Sequence, residues 1–119
     1  MDTCAEVPAE YYERGLALKN EGNYEEAISE FKRVLEMDAA NVPARIQLAL
    51  VFGFAGMFDE SLSLLQETVQ IAPTDLDARN NLGLTYAMLG MLEEAKFEFL
   101  FVLECDPNNE IAQKNMLYF

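Results

Sequence analysis

At 119 residues the chain is long enough for one core of ordinary size and too short for two, and with 51% hydrophobic and 24% charged residues it has the apolar material of a folded domain. Its 21 acidic against 8 basic side chains leave a net charge of −13, a field that repels phosphate and anionic lipid headgroups, so nucleic acid and membrane are poor partners, and the same charge either simply keeps a small protein soluble or speeds encounter with a basic partner. Histidine is absent, which removes Ser-His-Asp and Cys-His catalysis and His-ligated zinc.

Residues 1–7, MDTCAEV, carry acids and no apolar run, so they read as a tail rather than a secretory leader, and a cytoplasmic location is expected. No later stretch approaches the roughly 20 apolar residues that cross a bilayer. From there apolar residues recur with helical spacing in paired blocks: 9–21 and 24–37, 43–55 and 58–71, 77–89 and 92–105, then a short seventh block at 109–118. An all-α fold of about seven helices is predicted.

The blocks repeat. Gly22, Gly56 and Gly90 stand 34 residues apart and open the strings GNYEEA, GMFDES and GMLEEA. In the same register Gly15, Ala49 and Gly83 align, as do Leu18, Phe52 and Tyr86, then Ala27, Ser61 and Ala95, then Phe31, Leu65 and Phe99. Each unit closes on a related phrase, LEMDAAN, VQIAPTD or LECDPNN, whose Pro73 and Pro107 suit a helix boundary. The period sets repeats 8–41, 42–75 and 76–109 within one domain, 8–119. Each repeat is a helix hairpin: a helix A, a glycine turn in left-handed geometry, and a helix B that approaches helix A over the small residue at Gly15, Ala49 or Gly83. The last block is the cap, with Ile111, Met116 and Leu117 turned to the third repeat and Glu110, Gln113 and Lys114 to water.

The acid pairs Glu25 and Glu26, Asp59 and Glu60, and Glu93 and Glu94 all open a helix B, where they complement the positive end of the helix dipole. That structural use accounts for them. With no calcium-loop motif, and with Cys4 and Cys105 too far apart for a CxxC site, no enzyme activity, metal or cofactor is expected. Both thiols read as free, Cys105 as packing and Cys4 as part of the tail.

The small-large-small spacing, in register three times over residues 8 to 119, resembles the tetratricopeptide repeat. Ala39 in place of a proline, Arg14 in place of an apolar residue, and Arg45 and Arg79 in place of tryptophan depart from its pattern. The resemblance implies an α-solenoid whose A helices line a concave wall, with groove-facing side chains Tyr12, Leu16, Lys19 and Asn20, then Ile46, Leu50 and Phe54, with Gly53 leaving room beside Phe54, and finally Asn80, Leu84 and Met88. The heat-shock adaptors of that family grip a C-terminal carboxylate with lysines, asparagines and an arginine. Here Tyr12, Leu16, Gln47, Asp77 and Asn81 occupy those positions, so that clamp is missing. The expected role is an interaction module or chaperone-like adaptor holding an apolar peptide or helix of another protein. The alternative is a scaffold that dimerises through Phe97, Leu100 and Phe101, which the register leaves pointing outward on the last helix B unless the cap covers them.

Overall fold

In a computed structural model that describes residues 8–119, the apolar blocks form seven α-helices: α1 (Pro8–Asn20), α2 (Tyr24–Met37), α3 (Val42–Phe54), α4 (Phe58–Ile71), α5 (Leu76–Met88), α6 (Leu92–Cys105) and α7 (Glu110–Met116). The B helices have the predicted bounds, and each A helix sits one residue earlier than predicted. The shift has two chemical causes. Asn41 and Asp75 are N-caps whose side-chain oxygens accept the amides of Ala44 and Ala78 at 3.0 Å, starting α3 and α5 immediately after them. At the other end the turn begins sooner: Gly22, Gly56 and Gly90 have φ of 83°, 81° and 79°. The following amides of Asn23, Met57 and Met91 donate to the carbonyls of Leu18, Phe52 and Tyr86 at 2.7–2.8 Å, which closes each A helix with a Schellman motif. Asn109 caps α7 in the same way through the amide of Ala112, so that helix runs 110–116 instead of 109–118.

The described residues divide into two compact units, one ending at Ser61 and the other running from Leu62 to Phe119. In the first, α1 packs on α2 and α2 on α3. A Cβ on Gly15 would stand 2.6 Å from the Phe31 ring, so helix approach depends on the missing side chain. Tyr11, Val34 and Ala44 form a buried cluster joined by Tyr12 and Leu35, and the buried Ser61 hydroxyl donates to the Ala49 carbonyl at 2.9 Å. In the second unit α5 packs on α6 and α6 on α7, and a Cβ on Gly83 would meet Phe99 at 2.9 Å. Ala95, Phe99, Val102 and Ala112 are the buried centre there.

Two expectations are corrected. The cap does not present Ile111 and Leu117 inward: both are exposed, and Ala112 and Met116, one helical turn apart, pack on the Phe99 cluster with the Phe119 ring 6.2 Å from Phe99. Cys105, expected to pack, is exposed at the end of α6. Cys4 and the rest of the tail lie outside the described residues.

The starts of α3, α5 and α7 carry one further device. Arg45 and Arg79 donate through Nε to the carbonyls of Ala39 and Pro73 at 2.7 and 2.9 Å, and Gln113 donates through Nε2 to Pro107 at 2.8 Å, always six residues back. The position where the family carries tryptophan is therefore a latch onto the preceding loop.

Candidate functional site

The predicted A-helix stripe separates into side chains held by the fold and side chains left in solvent. In the first unit, α1 carries Tyr12, Leu16, Lys19 and Asn20, and α3, which touches α1, carries Ile46, Leu50 and Phe54. Ile46 is buried and belongs to the packing. Tyr12 is half-buried, its ring edge-on to Phe31 at 5.8 Å. Burial, and secondly the Glu13 carboxylate beside it, raise its phenol pKa above the ordinary value, so the hydroxyl stays a neutral donor. Lys19 bridges the two helices by donating to Gln47 Oε1 at 2.7 Å, which neutralises no charge but fixes the lysine along the stripe. Asn20 is exposed, Leu16 and Leu50 are half-buried, and Phe54 is 57% exposed.

Around that stripe the structure adds neighbours that periodicity could not mark. The Tyr24 ring at the start of α2 lies 5.9 Å from Phe54, making an aromatic pair at one end. At the other end the starts of α1 and α3 enclose an open cleft of about 290 Å³ lined by Pro8, Ala9, Tyr12, Glu13, Asn41 and Pro43. Gly53 lies between Leu50 and Phe54, and a Cβ built there meets nothing within 4 Å, so the space beside Phe54 is open.

In the second unit, Asn80 is buried and donates to Asn109 Oδ1 at 3.1 Å, tying α5 to the cap of α7, while its own Oδ1 is buried without a hydrogen-bond partner. Leu84 is partly buried against the Phe99 cluster. Met88 alone of the predicted trio stands mostly in water, 64% exposed. Ile46 and Asn80 therefore serve the fold, Leu84 serves it in part, Phe54 keeps more than half its surface in solvent beside its Tyr24 partner, and Met88 stands mostly in water.

On α6 the three outward residues also part company. Phe97 and Leu100 are exposed by 62% and 42%. Phe101 is half-covered, with the Arg79 guanidinium 4.0 Å above its ring. Arg79 also pairs with Glu98 at 3.0 Å, both side chains nearly buried at 14% and 8% exposure.

No group of three or more acidic, cysteine or histidine side chains among the described residues could hold a metal ion, and no described helix is long and apolar enough to cross a membrane.

With this geometry in hand, three similarities to solved structures fall into place. The first tetratricopeptide domain of Spaghetti (RPAP3), bound to the HSP90 peptide SRMEEVD, superposes with a TM-score of 0.88 at 25% identity, covering 95% of this chain and 90% of that one. The second such domain of human RPAP3, in complex with the HSP70 peptide SGPTIEEVD, gives 0.80 at 26% identity over 90% and 92% of the chains. The Arabidopsis OM64 domain gives 0.84 at 19% over 91% and 89%, a likeness of fold alone. No curated protein matches by sequence. Tetratricopeptide-repeat profiles match residues 8–41 and 64–97, together 68 of the 119 residues, and the chain belongs to the tetratricopeptide-repeat family.

Proposed function

We propose that this chain is a non-catalytic adaptor that holds an apolar segment of another polypeptide on the A-helix stripe that α1 and α3 build in the first unit. The observation that carries the reading is the exposure of Phe54 at the end of the first unit's stripe, a large apolar side chain that keeps more than half its surface in solvent beside Tyr24, with the open space at Gly53 next to it. The RPAP3 domains, which hold heat-shock peptides ending in EEVD, support peptide binding on this architecture. They do not supply the ligand. Tyr12, Leu16, Gln47, Asp77 and Asn81 stand where those adaptors' basic and amide clamp would be, and a net charge of −13 opposes an acidic tail. The ligand is apolar, neutral to basic, and gripped by packing. Burying on the order of 400 Å² of apolar area per side provides ample gross energy at about 25 cal/mol per Å², and ordering costs reduce this to about micromolar affinity.

Selection of peptides from a random display library tests this. Apolar sequences poor in acid are expected, with affinity lost by about tenfold or more, about 1.4 kcal/mol, in Phe54→Asp while the melting temperature holds. Enrichment of acidic C-terminal carboxylates, or binding unaffected by that change, would sink it.

A further inference from the structure

We infer that the outer face of α6 is a second docking surface, separate from the A-helix stripe, and that it takes a basic amphipathic helix of another protein. Residues spaced four, three and four apart share one helix face, and on α6 that exposed row reads Glu93, Phe97, Leu100, Glu104. Two apolar side chains sit in the middle with a carboxylate one turn beyond each, the carboxylates about 16 Å apart at 1.5 Å rise per residue. No side-chain hydrogen bond or ion pair engages any of the four among the described residues.

The row is specific to this helix. At the positions of Phe97 and Leu100, α2 carries Ser29 and Lys32 and α4 carries Ser63 and Gln66, all exposed. The fold thus works with polar side chains there, and Phe97 and Leu100 contribute nothing that a tetratricopeptide hairpin needs. Phe101, pinned under Arg79, is not part of the surface.

Charge decides the occupant. The row is palindromic, so a second copy of α6 would set carboxylate against carboxylate in either direction: Glu93 against Glu104 when antiparallel, each against itself when parallel. The −13 net charge adds to that repulsion. A helix with apolar residues three apart and a lysine or arginine four positions outside each of them satisfies all four side chains, again in either direction. Such a partner fills the apolar pair and neutralises both acids at the rim, where charge sets specificity and encounter rate.

Two blocked, alanine- and glutamine-based helical peptides test this. One carries Lys, Leu, Leu and Lys at the four-three-four spacing, and its twin carries Glu for both Lys. Titration should show the lysine peptide binding at least about tenfold more tightly than the twin, and weakening several-fold as salt rises from about 0.1 M to about 1 M, where the screening length falls from about 10 Å to about 3 Å. Amide shifts should map to α6. The double change Phe97→Ser with Leu100→Gln, which installs the residues α4 already carries, should abolish binding with helicity unchanged. Phe54→Asp should leave it intact, which separates this surface from the A-helix stripe. Equal binding of both peptides, no binding below about 1 mM, survival in the double variant or loss in Phe54→Asp each overturns the inference. So does a wild-type dimer at about 100 μM, well above a micromolar dissociation constant, that the double variant dissolves, which would give the face to a second copy.

Discussion

The first and third hairpins build the same contact with its partners exchanged. In the first, the ring is Tyr11 on helix A, and the helix B cation over it is Arg33 at 5.4 Å, with Arg14 adding a second at 4.7 Å. In the third, two periods along, position 79 is the arginine and position 101 the ring, at 4.0 Å. What recurs is a cation lying on an aromatic face between the two helices, not an aromatic residue at a fixed place. Their ion pairs differ too. Arg14 and Glu30 meet at 3.2 Å at the surface, whereas Arg79 and Glu98 meet nearly buried.

Arg79→Ala should break the third hairpin most, because it strands a buried Glu98 carboxylate and uncovers Phe101. A loss of about 3–5 kcal/mol is expected in urea unfolding, against less than about 1 kcal/mol for Arg14→Ala at its exposed pair. Equal losses would mean that the two pairs are equivalent and burial irrelevant. Next come Gly15→Ala and Gly83→Ala, each forcing a Cβ onto a phenyl ring, for about 1–3 kcal/mol. Gly15→Ala should cost more, since its contact is 2.6 Å against 2.9 Å.

A double-mutant cycle sharpens the exchange. Tyr11→Arg alone and Arg33→Phe alone should each destabilise, and the pair together should recover about 1 kcal/mol or more of coupling if cation and ring are interchangeable. Additive losses would show that the likeness is geometric only. The smallest effect has the opposite sign. Gly53→Ala, with open space for its Cβ, should stabilise by about 0.5–1 kcal/mol in thermal unfolding while weakening peptide binding beside Phe54. A stabilised variant with unchanged affinity would leave that glycine without a role in the site.

The architecture was legible because three copies of one pattern average out single exceptions. The 34-residue glycine spacing, the small residues opposite Phe31 and Phe99, and the loop phrases containing Asn41, Asp75 and Asn109 all point to hairpins. What stayed hidden lay in pairs that straddle columns. Arg79 read alone looks like a departure from the aromatic position, and only Phe101 beside it shows why it is tolerated. Phase was the other limit. Ile46 and Asn80 were assigned to the outward stripe and are buried, because half a stripe's width decides whether a side chain faces water or a neighbouring helix. In α7, seven residues long, a one-residue phase error turns the face by about 100°, which is why Ile111 and Leu117 replaced Ala112 in the expected cap.

The latch from residues 45, 79 and 113 onto the carbonyl six positions earlier closes each loop through partners that are already neighbours in the chain. Bringing such groups together costs little loop entropy and needs no distant strand to arrive first. A joint of this kind can form while the rest of the chain is still searching, so refolding should run fast, on the microsecond-to-millisecond scale of local-contact helical proteins. The same closure shields the capped amides of Ala44, Ala78 and Ala112, whose hydrogens should exchange with solvent more slowly than those of the exposed loop residues just before them.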